Sequence, residues 1–330
     1  MTSFTTSASS PTIVFLDRGS LDADLPMPSM AHTWLNYDYS ESHNVVSRLK
    51  GATIAVTNKV RLDADILSAL PDLKMIAIAA TGSNVVDLDA CQRLNIRVTN
   101  IRGYARAAVP EHTFALILAL RRQLINYHQD VMNGKWQTSQ HFCFLDYPIH
   151  DLSASTLGLI GFGDLGQAVA RLGKAFGMKL CLLERERSKN HDSELVAGAM
   201  YVSMDEMLTC ADVISLHVPL TPATKHMIST DQLNRMKPTA LLINTARGGL
   251  VDEHALAEAL RSRRIGGAGF DVLSTEPPKD GNPLLEQGLP NFILTPHIAW
   301  ASQEAMQTLA DQLIANIEAY LNGKPCHLLC

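Results

Sequence analysis

The sequence predicts an α/β fold, with parallel sheets covered by helices, in two domains. Three observations carry that prediction. Short apolar runs alternate with helix-like segments along almost the whole chain, the pattern of parallel strands joined by helical crossovers. At 330 residues the chain exceeds one ordinary domain. Apolar residues make up 46%, enough to fill sizeable cores, against only 18% charged.

The elements follow in order. Residues 1–11 are rich in Ser and Thr and lack both a basic and an apolar segment. They are expected to be a disordered end and not a secretory signal. Strands are expected at 13–16, 33–36, 53–56, 75–79 and 97–98, with helices at 45–49, 64–70 and 88–94. These suffice for one doubly wound unit. A helix starts near Pro110, because proline costs nothing in a first turn. Its stretch 114–120 is apolar on every side, which implies burial between layers. Residues 126–151 show no clear period and hold Trp136, Phe142, Phe144 and Tyr147. Such a segment is either an arm docked on a second copy or a loop over the core. The arm, about 122–151, is the preferred reading and predicts a homodimer. The alternation restarts with strands at 156–160, 179–183, 213–216, 240–243, 267–270 and 292–294. Helices fit at 165–176, 204–210, 230–236, 253–261 and 302–321.

Composition excludes some function classes. The formal net charge is −5, whereas neutralising a nucleic-acid backbone needs clustered Lys and Arg. No run approaches the ~20 apolar residues that span a bilayer. The six cysteines are scattered, with no Cys-x-x-Cys pair. They are expected to be thiols in a cytoplasmic protein without a metal centre.

The clearest motif is Gly161-Phe162-Gly163-Asp164-Leu165-Gly166, between an apolar strand and a helix. In that context Gly-x-Gly-x-x-Gly predicts a dinucleotide site. Gly161 permits the tight turn, Gly163 lets a pyrophosphate approach the backbone, and Gly166 brings helix and strand together. The helix N-terminus adds positive potential. Glu184, at the end of the next strand, would accept hydrogen bonds from a ribose 2′-OH and repel a 2′-phosphate, which favours NAD(H) over NADP(H). Arg185 and Arg187 argue the other way.

Three later segments also follow predicted strands: Asn244-Thr245-Ala246-Arg247-Gly248-Gly249, Gly269-Phe270-Asp271 leading to Glu276-Pro277-Pro278, and Thr295-Pro296-His297-Ile298-Ala299-Trp300. With the glycine motif and His217-Val218-Pro219-Leu220-Thr221, they make the chain resemble the D-isomer-specific 2-hydroxyacid dehydrogenases over nearly its whole length. The nearest branch is the bacterial hydroxypyruvate reductase or glycerate dehydrogenase group.

That resemblance implies a Rossmann NAD-binding domain, residues 102–296, inserted into a flavodoxin-like substrate domain, residues 1–101 and 297–330. Between them a cleft would close, with hinges near 101–104 and 296–299. It implies reduction of hydroxypyruvate to D-glycerate, or of glyoxylate to glycolate, by hydride from NADH. Arg247 would bind the substrate carboxylate and polarise the carbonyl. His297 would be the general acid or base. Glu276 would hold the other ring nitrogen and favour the imidazolium. Asp271 would orient the nicotinamide carboxamide. His217, Val218, Pro219, Thr224, Thr245, Ala246 and Ala299 complete the implied cofactor set. Lys59, Ala80, Thr81, Gly82 and Trp300 complete the substrate set, with a backbone nest at 80–82 and Trp300 narrowing the pocket. A broad 2-oxo acid reductase and an NAD(H)-sensing interaction protein are the alternatives.

Overall fold

The computed structural model describes residues 10–186, 193–286 and 288–330. Residues 1–9 and Arg187 therefore lie outside the described residues. The chain divides into two compact units. One comprises residues 1–105 and 301–330, the other residues 106–300.

The first unit begins with β1 (Thr12–Phe15) and β2 (Thr33–Asn36), then α1 (Val45–Leu49), β3 (Ile54–Thr57), α2 (Ala64–Ser68), β4 (Met75–Ile78), α3 (Leu88–Arg93) and β5 (Arg97–Thr99). The strands are all parallel, in the order β2-β1-β3-β4-β5, which is the flavodoxin-like order. Every residue of β3 and β4 is buried, as a parallel sheet covered on both faces requires. Aspartates start two of the helices: Asp63 accepts the Ile66 N–H at 3.1 Å and Asp87 that of Ala90 at 2.8 Å.

The second unit opens with α4 (Ala108–Arg121) and α5 (Leu124–Met132). It continues through β6 (Thr156–Ile160), α6 (Asp164–Ala175), β7 (Lys179–Leu183), β8 (Met200–Val202), α7 (Met204–Cys210), β9 (Val213–Leu216) and α8 (Thr230–Arg235). Then come β10 (Leu241–Asn244), α9 (Glu253–Arg261), β11 (Gly267–Phe270) and β12 (Phe292–Leu294). The sheet is parallel, in the order β12-β11-β10-β9-β6-β7-β8. The order reverses at β6, so that β6 and β9 lie side by side at a topological switch point, where such sheets bind ligands. The all-round apolar α4 packs over β10 and β11 and against α6. Small residues in β11 admit it: a Cβ on Gly269 would lie 3.0 Å from that of Leu116. The last helix, α10 (Gln303–Leu321), belongs to the first unit, where Asn316 Nδ2 donates to Asn100 O at 3.0 Å.

Both sheets and the α/β class agree with the sequence prediction, and three details differ. The predicted boundaries at 101/102 and 296/297 each move four residues onward. Ile101 N–H still bonds Ala80 O, and Arg102 N–H bonds Gln312 Oε1. Residues 297–300 are tied to the second unit through Asp271. Strand β8 has no counterpart in the prediction, being three residues at the sheet edge. The segment expected to be irregular contains α5. Gln123, at φ 54°, breaks it from α4, and none of its residues is buried. It therefore carries no core-facing stripe to be read. Instead Tyr127 packs on Phe144 and Tyr147, with its hydroxyl donating to Tyr147 O at 2.9 Å.

Candidate active site

Strand β6 enters the site through Gly161, at φ +102°. A Cβ there would lie 2.4 Å from His217 O, and one on Gly166 would lie 2.2 Å from Gly161 O. The chain itself therefore excludes side chains at both positions. Gly163 differs: nothing lies within 4 Å of where its Cβ would be. It is exposed at the start of the twelve-residue α6, with space kept clear above free helix N–H groups. That is the fit a pyrophosphate needs. Phe162 is buried, and its carbonyl accepts from Gln167 Nε2 at 3.1 Å. The Asp164 carboxylate pairs with Arg106, which leaves its backbone to serve the turn, as with Leu165. Glu184 is exposed and starts a short 3-10 turn at the end of β7. The Arg185 side chain lies outside what is described.

After β9, His217 N–H bonds Ile160 O at 2.7 Å, holding the two strand ends together beneath the glycine turn. Its Nε2 lies 2.8 Å from Ser215 Oγ, and burial pulls its pKa down to about 4. The ring is therefore neutral near pH 7. Val218 is buried, and Thr224 Oγ1 closes the following loop by donating to Pro219 O at 2.7 Å.

Arg247 is presented by a turn that Asn244 shapes from the end of β10. Asn244 Oδ1 accepts Ala246 N–H at 3.1 Å, and its Nδ2 donates to Arg247 O at 2.9 Å. The half-buried guanidinium donates once, from Nη1 to Ala246 O at 2.6 Å. Its remaining donors have no partner among the described residues. Thr245 meets Thr113 of α4, hydroxyl to hydroxyl at 3.2 Å. Behind Arg247, a Cβ on Gly248 would lie 1.9 Å from the Leu273 carbonyl carbon. Backbone thus packs on backbone, and the arginine turn abuts the segment that carries Glu276.

Glu276 is held at both oxygens. Oε1 accepts the Leu273 N–H at 2.8 Å, and Oε2 lies 2.6 Å from His297 Nδ1. The carboxylate makes Nδ1–H the donor. His297 Nε2 then has no partner among the described residues and is free to exchange a proton. The histidine sits at φ +58°, a left-handed conformation that a non-glycine residue keeps only under constraint. Asp271, 1% exposed, supplies that constraint. Its Oδ1 accepts from Thr295 Oγ1 at 2.5 Å and Ile298 N–H at 2.9 Å, and its Oδ2 from Ala299 N–H at 2.8 Å. Trp300 closes the turn, Nε1 donating to His297 O at 2.9 Å. Asp271 thus spends both oxygens on the histidine turn, a task the sequence reading did not assign to it.

In the first unit, two loops leave the carboxyl ends of β3 and β4. Buried Asp17 accepts the N–H groups of Asn58 and Lys59, at 2.9 and 2.6 Å. Burial raises its pKa against those bonds. Ala80 is buried, and Thr81 Oγ1 donates to Ile101 O at 2.8 Å, fixing the turn into Gly82.

Sequence reasoning missed several positioning residues. His112 on α4 reaches Thr295 Oγ1 at 2.9 Å. Buried Glu253 accepts from Ser274 N, Ser274 Oγ and Asn282 Nδ2 at 2.6 to 2.8 Å, and so anchors the segment bearing Glu276. His112 stands 183 residues from its partner, with no local signal. Glu253 reads as an ordinary acidic first-turn residue. Among the described residues no cluster of His, Cys, Asp or Glu could hold a metal ion, and no helix is long and apolar enough to cross a membrane.

Residues 114–299 match the family model described as "D-isomer specific 2-hydroxyacid dehydrogenase, NAD binding domain". The chain is 51% identical over 314 residues to a glycerate dehydrogenase of Methylorubrum extorquens, covering 95% of this chain and 97% of that one. It is 36% identical over 290 residues to a hydroxypyruvate reductase of Blautia hydrogenotrophica, covering 88% of each. Among solved structures, a D-lactate dehydrogenase from Aquifex aeolicus complexed with NAD and lactic acid is similar at a TM-score of 0.79 and 30% identity, covering 94% of this chain and 96% of that one.

Proposed function

This chain belongs to the D-isomer-specific 2-hydroxyacid dehydrogenase family, and we propose that it reduces hydroxypyruvate first, and glyoxylate second, with NADH. The observation that carries this reading is the 2.6 Å Glu276–His297 pair with a free Nε2, together with the unspent donors of Arg247, whose turn abuts the Glu276 segment. The substrate classes come from its relatives, a glycerate dehydrogenase and a hydroxypyruvate reductase.

The residues then have distinct tasks. Bound NADH supplies the hydride; the protein orients, polarises and moves the proton. Arg247 holds the substrate carboxylate and draws charge onto the carbonyl oxygen. His297 gives that oxygen a proton from Nε2 and recovers it in the reverse direction. Glu276 stabilises the imidazolium from the Nδ1 side. Asp271 and Trp300 keep the histidine turn in its strained geometry. Residues 106–300 serve the cofactor and also carry Arg247, Glu276 and His297, while Lys59 and the 80–82 turn are the anion holders of the unit of residues 1–105 and 301–330. Exposed Glu184 favours NADH.

A panel of hydroxypyruvate, glyoxylate and larger 2-oxo acids, each with NADH and NADPH, tests this. The highest kcat/KM is expected for hydroxypyruvate with NADH. Equal values for the two cofactors would remove the role given to Glu184. Tight NADH binding without turnover of any 2-oxo acid would make the chain an NAD(H)-sensing interaction protein.

Glu276→Gln gives a sharper readout. The neutral amide keeps the shape of the side chain but loses the charge that faces His297 Nδ1 at 2.6 Å. The kcat for reduction is expected to fall by at least about tenfold, with NADH affinity little changed. A kcat equal to that of the wild type excludes the assignment.

The working form is a homodimer built through residues 122–151. That segment exposes Phe142 at 89% and Leu145 at 80%, with Met132 and Trp136 also uncovered, apolar side chains that a docked second copy would cover. Sedimentation is expected to give twice the chain mass, and Phe142→Glu with Leu145→Glu is expected to give monomers. The wild-type chain sedimenting as a monomer would rule the arm out. A cytoplasmic location suits six free cysteines.

A further inference from the structure

The second unit carries another pocket, of about 220 Å³, at the end of the sheet opposite to the catalytic residues. Its walls include the last turn of α4, Leu241 at the start of β10, and Pro290 and Asn291 just before β12. Those strands deliver Arg247 and His297 at their far ends, so the reaction has no direct use for this cavity.

Its chemistry is unusual for an unassigned pocket. Arg121 lines it, is 6% exposed, and has no hydrogen-bond partner for Nε. Its other nitrogens form no hydrogen bond or ion pair among the described residues either. The charge that acts on it is Asp212, but that carboxylate is committed elsewhere. Oδ2 accepts Thr156 N–H at 2.8 Å and Oδ1 accepts Lys237 Nζ at 2.9 Å. Removing the Nε donor from water without giving it an acceptor is costly, because it loses hydration and gains nothing in return. Burial pulls Arg121 below the usual arginine pKa, with Asp212 opposing. A second cation, Arg263, stands exposed among the lining residues. Thr239 and Gln123 add neutral polar groups, and no Asp or Glu lines the pocket. Asn291 Oδ1 is also buried without a partner, an acceptor for a hydroxyl.

We propose that this pocket binds a small oxyanion, a hydroxycarboxylate or phosphate, gripped by Arg121 with Arg263 assisting. A guanidinium offers paired donors in the plane that either anion matches. The volume lies below the range of pockets for drug-sized ligands, which limits the occupant to a few heavy atoms.

Calorimetric titration of the full-length chain tests this, using Arg247→Met to silence oxyanion binding at the catalytic arginine. Inorganic phosphate and malate are titrated separately, so that the two arms tell phosphate from carboxylate. Saturable binding of at least one is expected in Arg247→Met. Adding Arg121→Met is expected to weaken it by at least about tenfold, the loss of a charge-assisted hydrogen bond. Adding Arg263→Ala instead is expected to weaken it less. Arg263 is exposed, so this variant carries the test if Arg121→Met does not fold. No saturable binding of either anion overturns the proposal. So does binding that neither Arg121→Met nor Arg263→Ala weakens.

Discussion

Replacing His297 by asparagine is expected to lower kcat for hydroxypyruvate reduction by roughly 10²–10⁴-fold, the usual worth of a positioned general acid. That corresponds to about 3–5 kcal/mol of transition-state stabilisation. Asparagine is the informative substitution because position 297 has φ +58°, which asparagine tolerates better than most residues. The turn then survives through its bonds from Ile298 and Ala299 to Asp271, and NADH affinity should change little. Fluorescence titration with NADH checks the second point and steady-state rates the first. A variant that keeps kcat within a few-fold of wild type would show that the proton comes from elsewhere.

Arg247→Gln has the second large effect. Glutamine keeps a planar hydrogen-bonding end but loses the charge and the paired donors. KM should rise, because the substrate carboxylate loses its partner. The kcat should fall by roughly 10²–10³-fold, the cost of removing a donor aimed at developing negative charge. The two changes together distinguish the proposed double role from simple binding. A raised KM with unchanged kcat would mean that Arg247 holds ground and transition states equally and does not polarise the carbonyl.

The glycine turn was legible in one dimension because backbone geometry forces it. Gly161 and Gly166 leave no room for a Cβ, so residue type records the fold directly. Arg247, Glu276 and His297 were singled out as a set through the family resemblance. What holds them was not. Asp271 reads as one acid after a strand, yet it ties down the whole 295–299 turn. Glu253, His112 and Asn244 are common residue types whose tasks are set by their partners. The extent of the first unit past residue 101 rests on bonds of Ile101 and Arg102 to partners far along the chain, which no local pattern records. Helix α5 was missed because it turns no face to the core.

By itself, then, the sequence determined the α/β class, the site of the dinucleotide turn and the residue types available for proton and carboxylate chemistry. Those depend on local periodicity and on steric exclusion, both written in neighbouring residues. Tertiary structure alone decided that His297 is locked at φ +58° with Nδ1 on Glu276 and Nε2 free, that Gly248 presses Arg247 against the Glu276 segment, and that Arg121 is buried beside an acid-free pocket. The physical reason is that a hydrogen bond or a buried charge takes its worth from the group facing it, and strand order, not chain order, chooses that group.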